Sequence, residues 1–178
     1  MKNKVDVIVQ ARQGSTRLQN KILLSLDSKN NCSLDYIYER ISKSKFVNKI
    51  IFAIPKKNYE LQNYLKKKKY NYYIGSEKNV LDRYYKTSLF FKSKYICRIT
   101  ADCPLACPKL LSDLVKFFFK NKFNYVSNNN PPTLPDGFDL EIFKFSTLKK
   151  AWSNSKNLFE KEHVTIFMKN NVKNSSNL

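Results

Sequence analysis

Apolar residues fall along this chain in short blocks whose period keeps changing. Residues 5–9 form an apolar run broken only by Asp6; a polar stretch, residues 10–20, follows, and then a second apolar run over residues 22–26. A run of that length opening into a polar loop predicts a buried strand. Leu34, Ile37, Tyr38 and Ile41 recur at helical spacing, and residues 50–54 make another apolar run that Pro55 stops. The alternation continues with a helical pattern over residues 59–69, a strand over 70–74 closed by Gly75, a helical pattern through Val80, Leu81, Tyr84, Tyr85 and Leu89, and a strand over 95–99. Pro108 suits the first turn of a helix over residues 109–119. Residues 125–127 predict a further strand, 128–136 a proline-broken loop and 138–145 an alternating strand.

Strands that alternate with helices need crossovers, and crossovers pair strands in parallel with right-handed connections. The expected fold is therefore α/β, a doubly wound, mostly parallel sheet with helices on both faces. A chain of 178 residues suits one core, and no repeat or linker divides it. One domain is expected over residues 1–169, followed by a polar tail, 170–178, that frays.

Composition narrows the class. A 42% hydrophobic and 14% aromatic content excludes a disordered chain. No apolar run approaches the roughly 20 residues of a membrane span. The first strand pattern lacks the features of a secretory signal, so a cytoplasmic protein with reduced cysteines is expected. Cys97, Cys103 and Cys107 lack the tight pairing of a zinc site. A net charge of +19 would ordinarily suggest nucleic acid. Lysine supplies 28 of the 33 cations, however, beside 20 asparagines and abundant Ile, Phe and Tyr, all with codons rich in A and T. The excess reads as coding bias spread over solvated faces, with no specific nucleic acid expected. The run 66–69 ends a helical pattern, where cations oppose the helix dipole.

Ligands of such sheets sit at the carboxyl ends of the strands, which directs attention to the loops after Val9, Ile74, Ile99 and Ser127. In the first loop, "VQARQGSTRLQNK", Gly14 allows backbone N–H groups to converge on an anion, and Ser15 and Thr16 add hydroxyl donors. Arg12, Arg17 and Lys21 carry enough charge for a triphosphate. The loop lacks the GK[ST] ending of a P-loop. By composition alone, a solvated basic loop is the other reading.

"VIVQARQGSTRLQNKIL" resembles the opening of the spore-coat polysaccharide (SpsF-like) cytidylyltransferases, relatives of the CMP-sugar synthetases. "GSEKNVLDRYY" (75–85), "RITADCPL" (98–105), "YVSNN" (125–129), "PDGFDLEIF" (135–143) and "EHVT" (162–165) resemble that family's later blocks in the same order. The resemblance implies a nucleotide-diphospho-sugar transferase-like fold and transfer of CMP from CTP to a sugar or acidic sugar, with pyrophosphate released, in cell-envelope or spore-coat polysaccharide synthesis. It implies Mg²⁺, CTP and an acidic sugar acceptor as partners, and leaves a homodimer open. By similarity Arg17, Lys21 and Asp102 are catalytic, with Arg17 and Lys21 on the β- and γ-phosphates, and Ala11, Arg12, Gly14, Ser15, Thr16, Ser76, Asp82 and Arg83 bind nucleotide.

Asp102, between an apolar run and Pro104, puts a hard oxygen ligand at a strand's carboxyl end, as Mg²⁺ requires. The resemblance makes it a metal ligand. Asp136 and Gly137 form a turn, after which Asp139 and Glu141 would share one strand face and Phe138, Leu140 and Ile142 the other. The acceptor residues so implied are Asp136, Asp139, Glu141 and His163, with Asp139 a second metal ligand. Several positions keep a bland alternative: a surface salt bridge on a helical pattern for Asp82 and Arg83, a hydrogen-bonded helix residue for His163, and a structural carboxylate partner for Arg98.

The chain departs from the family at Gln19-Asn20, which replaces Pro-Gly, although asparagine tolerates positive φ. Ala101 and Cys107 stand where glycine and aspartate are usual. Nothing after Asn170 resembles the acidic "VDTPED"-like block of the relatives. The expectation is an enzyme short of that segment, with Asp139 or Glu141 taking the missing ligand's place, or else an inactive nucleotide-binding relative.

Overall fold

The computed structural model describes residues 3–14, 18–129, 131–132 and 134–177. Four strands alternate with helices along the first two-thirds of the chain: β1 (Val5–Gln10), α1 (Ser33–Ser42), β2 (Val47–Pro55), α2 (Tyr59–Lys67), β3 (Asn71–Gly75), α3 (Val80–Phe90), β4 (Tyr95–Thr100) and α4 (Pro108–Lys120). Then come β5 (Tyr125–Ser127), β6 (Glu141–Lys144), three consecutive helices, α5 (Phe145–Asn154), α6 (Leu158–Glu162) and α7 (Ile166–Asn171), and β7 (Ser175–Asn177). All seven strands join one sheet in the order β3-β2-β1-β4-β6-β5-β7.

Period-two alternation sends Val5, Val7 and Val9 to one face of β1 and Ile8 to the other. On the first face lie α1, α2 and α4, through Leu34, Ile37, Leu61, Leu65, Leu111 and Val115. On the second lie α3, α5 and α7, through Leu81, Tyr84, Leu148 and Met168. The sheet is thus covered on both sides, which is why β2 reads as an unbroken buried run from Ile50 to Pro55. This is the α/β, doubly wound sheet expected from the sequence.

The parallel rule holds for β3, β2, β1 and β4 and fails at β6, which pairs antiparallel with both β4 and β5. The connection from β5 to β6 contains no helix, so the chain turns back without a crossover. Consequently the start of β6 lies at the same edge as the carboxyl ends of β1, β4 and β5, and the loops of all four meet there. The strand expected over 138–145 is shortened at both ends, because α5 begins at Phe145 and the segment before Glu141 is loop. The tail expected to fray instead pairs as β7 with β5, Tyr125 opposite Ser175. Asn174 takes a positive φ of 58° just before it, and the Asn124 N–H donates to its carbonyl.

Candidate active site

The first loop leaves β1 at Ala11, which is buried and donates its N–H to the Ala53 carbonyl, 3.2 Å away. Gln13 then fastens the loop to the start of α2: its N–H donates to Asn58 Oδ1 (2.7 Å) and its amide to Glu60 Oε2 (2.9 Å) and Asn20 Oδ1 (3.2 Å). Asn20 takes up the left-handed conformation, φ 54°, and starts a single 3-10 turn, Lys21–Leu23. Asparagine tolerates this conformation better than other non-glycine residues, so Gln19-Asn20 still closes the turn. Gly14 has no positive φ, and a Cβ there would meet nothing within 4 Å. Ser15, Thr16 and Arg17 lie outside the described residues.

The turn carries Lys21 across to the end of β4, where its Nζ stands 2.7 Å from Asp102 Oδ2. Both side chains remain partly open to solvent. The peptide preceding Asp102 is held from two sides: the Ala101 N–H donates to the Gln10 carbonyl at 2.9 Å, and the buried Ser33 hydroxyl donates to the Ala101 carbonyl. Arg40 reaches over from α1 to donate to the carbonyls of Ala106 and Leu105. Burial pushes the Asp102 carboxyl up, but hydrogen bonds from Lys21 and Thr100 outweigh it and hold the group below the usual range.

A cleft of about 620 Å³ opens beside this pair, lined by Lys21, Thr100, Asp102, Asp136, Gly137 and Asp139 among others. Gly137 turns the chain with φ 95°, which only glycine adopts easily. Asp139, ahead of β6, is half-buried. Burial and the charges of Asp136 and Glu141 push its carboxyl up, opposed by a hydrogen bond from Asn129 and the charge of Lys169. The cleft therefore brings together four of the residues singled out in the sequence: Lys21, Asp102, Asp136 and Asp139.

Other expected residues lie elsewhere. Glu141, anticipated on the acceptor face beside Asp139, is buried instead. In the β4–β6 register it stands opposite Arg98, and its carboxylate pairs with that guanidinium and accepts from Tyr125 Oη and Thr165 Oγ1, each at 2.8 Å. Arg98 thus takes the structural option, with its other Nη donating to Gln10 Oε1 at 3.4 Å. Asp82 is engaged by Lys86 (3.0 Å) and the Trp152 indole (3.0 Å), the bland surface arrangement. His163 is exposed and lies against Phe159, ring centroids 4.4 Å apart. Neither of these two lines the cleft.

Ser76 and Arg83 form a second constellation after β3. Arg83 is fully buried, donates Nη1 to the Ser76 carbonyl, and crosses so close to Gly75 that a Cβ there would lie 2.8 Å from Arg83 Cγ. Its Nε and Nη2 have no hydrogen-bond partner among the described residues. Burial and the nearby Arg12 charge lower its pKa to about 10. Buried donors left without a partner are costly. Sequence reading missed Gln13, Asn58 and Glu60, Ser33 and Arg40, and Lys169. Each acts through contacts 40 or more residues away, which local pattern does not encode.

Comparison with known proteins defines the class first. The fold superimposes on CMP-2-keto-3-deoxy-manno-octonic acid synthetase complexed with CTP with a TM-score of 0.74 at 13% identity, covering 98% of this chain and 90% of that one. It superimposes on a cytidylyltransferase from Leptospira borgpetersenii with a TM-score of 0.91 at 29% identity, covering 98% and 75%. The architecture is that of the nucleotidyltransferases. The cytidylyltransferase family model matches residues 7–177, and the chain belongs to that family. It is 41% identical over 170 residues to an uncharacterized protein of Methanocaldococcus jannaschii, spanning 94% of this chain and 68% of that protein. It is also 29% identical over 180 residues to the spore coat polysaccharide biosynthesis protein SpsF of Bacillus subtilis, spanning 94% and 71%. No helix among the described residues is long and apolar enough to cross a membrane.

Proposed function

We propose that this chain transfers CMP from CTP to a hydroxyl oxygen of a sugar or sugar acid and releases pyrophosphate, in cell-surface polysaccharide synthesis. One observation carries the reading: Lys21 and Asp102, a cation and a hard-oxygen donor from different strand ends, meet 2.7 Å apart at a cleft that two further carboxylates line. In the reaction the acceptor oxygen attacks the α-phosphorus and the bond to the bridging β-phosphate oxygen breaks, so catalysis is mostly positioning and charge neutralisation. Lys21 exchanges Asp102 for the β- and γ-phosphates and stabilises the charge that the departing pyrophosphate gains. The first loop, pinned by Gln13, presents backbone donors. Arg83 offers its unpaired Nε and Nη2 donors to the nucleotide, and Asp136 and Asp139 orient acceptor hydroxyls.

Nucleotidyltransferases of this family typically use a divalent metal. The donors here fit Mg²⁺: Asp102 and Asp139 are hard oxygen ligands in one cleft, and Mg²⁺ takes one or two carboxylates beside substrate phosphates and water. No group of three or more His, Cys, Asp or Glu poised for a metal occurs among the described residues, so an ion here would need ligands beyond these carboxylates. Bound there, the ion would supply charge neutralisation of the triphosphate.

The test is pyrophosphate release from each of the four ribonucleoside triphosphates against a panel of sugars and sugar acids with Mg²⁺. CTP-selective release with formation of a CMP-sugar is expected. CTP binding without turnover on any acceptor would reduce the chain to a nucleotide-binding relative, and absence of CTP binding would remove the assignment.

A further inference from the structure

The first loop and the start of α2 exchange hydrogen bonds that converge on one carboxylate. Asn58, which precedes α2, gives its Oδ1 to the Gln13 N–H (2.7 Å) and not to the helix. Gln13 Oε1 in return accepts from the Leu61 N–H (3.5 Å), one of the amides that the first turn of a helix leaves without an intrahelical partner. Glu60, in that same turn, accepts at Oε2 from the side-chain amides of both Gln13 (2.9 Å) and Asn20 (3.2 Å). Gln13 Nε2 also donates to Asn20 Oδ1 (3.2 Å), which closes a ring of three side chains. Glu60 has no part in the chemistry above, yet its second partner stands immediately before Lys21.

We propose that Glu60 is a positioning residue that fixes the left-handed Asn20 and thereby aims Lys21, an inference that rests on reading Lys21 as the group that meets the β- and γ-phosphates. A carboxylate only accepts, so it dictates the direction of both amides. Asn20 turns its NH₂ to Glu60 and its oxygen to Gln13, while Gln13 turns its NH₂ to both and its oxygen to Leu61. Flipping either amide would set an oxygen against the carboxylate. Asn20, at φ 54°, gains from such support, because the left-handed region is unfavourable for a residue with a Cβ. Its carbonyl accepts from the Leu23 N–H at 2.8 Å and so closes the 3-10 turn whose first residue is Lys21. Glu60 also sets an anion close to a site read as binding a polyanion, so charge alone and positioning predict opposite signs when it is removed.

The test uses the full chain carrying Glu60→Ala, Glu60→Gln, Lys21→Met, and Glu60→Ala together with Lys21→Met, with CTP and CMP affinities measured by calorimetry. Glu60→Ala is expected to weaken CTP binding about tenfold, the low end of what a lost hydrogen bond to a charged group produces, and to leave CMP, which lacks the two outer phosphates, within about twofold. Glu60→Gln keeps an oxygen able to accept both amides and is expected to recover most of the CTP affinity. The double variant is expected to bind CTP no more weakly than Lys21→Met, since Glu60 acts through Lys21. Unchanged or tighter CTP binding in Glu60→Ala, an equal loss of CMP, no recovery in Glu60→Gln, or additive losses in the double variant would overturn the inference. Should Glu60→Ala fail to fold, Gln13→Leu carries the same readouts, because it removes the shared amide and leaves the backbone bond to Asn58 in place. If CTP binds and no CMP-sugar forms, the functional reading fails while the affinities still judge the positional claim. If the parent binds no CTP, crystal structures of the parent and Glu60→Ala judge it instead: Lys21 Nζ is expected to withdraw from Asp102, and an unmoved Lys21 would overturn the proposal.

Discussion

Asp102 and Lys21 form an ion pair that is half open to water, and such pairs contribute about 0–1 kcal/mol to stability. On the proposed reading, the importance of this pair lies in the reaction rather than in stability. Asp102→Asn is expected to leave the melting temperature nearly unchanged while lowering CMP transfer by about 10²- to 10³-fold, as loss of one preorganised electrostatic contact does; steady-state pyrophosphate release and a thermal melt on the same sample check it. Gly75 presents the opposite case, a residue with no chemistry and no tolerance. It pairs with Pro55 in the β2–β3 ladder, and an added Cβ would lie 2.8 Å from Arg83 Cγ and 3.3 Å from its Cα. Gly75→Ala is expected to cost about 1–3 kcal/mol in urea unfolding, the overpacking range, and to disturb Arg83 and with it CTP affinity. A silent Gly75→Ala would mean that Arg83 is free to move aside. Chemistry-bearing residue types at strand ends were legible in the sequence, since Lys21, Asp102, Asp136 and Asp139 do share a cleft. Side-chain direction was not: Glu141 carries the same charge as Asp139 two positions away, and only its register opposite Arg98 takes it into the interior.

At the scale of elements, hydrophobic period gave α1 to α4 and β1 to β5 nearly in place, because each buries a regular stripe or run in one of two cores. The region after β6 was harder to read. α6 buries no residue and α7 only Met168, so neither has an apolar stripe; α6 is placed by contacts with α3, and α7 by contacts with α5 and by the Glu141 network. The lysine run at the end of α2 shows how charge can hide a specific role. Lys68 is no merely solvated cation, for its Nζ lies 2.9 Å from Asp35 in the first turn of α1. Asp35 also accepts from Tyr64, from Tyr70 (3.1 Å) and from the Cys32 N–H (3.0 Å), joining α1, α2 and the approach to β3. Burial pushes the Asp35 carboxyl up, but those hydrogen bonds prevail and hold its pKa below the ordinary value. A group depressed in the folded state contributes stability that is fully present above its unfolded pKa, near 3.9, and that is lost as pH falls through the folded value. Asp35→Asn is thus expected to cost about 1–3 kcal/mol at pH 7 and progressively less as pH falls below about 4, where the parent loses the same contribution. Urea midpoints of both proteins from pH 7 to pH 2.5 measure this, and a gap that stays constant or widens on acidification would show that Asp35 is not the group that titrates.

For the whole molecule, the dominant electrostatic fact is the imbalance of 33 cations against 14 carboxylates. Even with every carboxylate paired, a net charge of +19 remains, spread mostly over exposed lysines. Two effects of that field have opposite sign. Like charges repel in the compact state more than in an expanded chain, which lowers stability, while the same field would draw the nucleotide of the proposed reaction toward the Lys21 cleft. Salt weakens both, since the screening length falls from about 30 Å at 10 mM to about 8 Å at 150 mM. Raising NaCl over that range is therefore expected to increase the melting temperature by several degrees, about what 1 kcal/mol produces in a domain of this size. Over the same range CTP affinity is expected to fall, the reverse direction. If the lysine excess were instead neutralised by specific internal pairs, salt would leave stability flat or lower it. Thermal melts and calorimetric CTP titrations at matched salt, on one preparation, distinguish the two: opposite slopes support a uniformly repelling surface around a triphosphate site, and parallel slopes would mean that the charge is locally organised for some other anion.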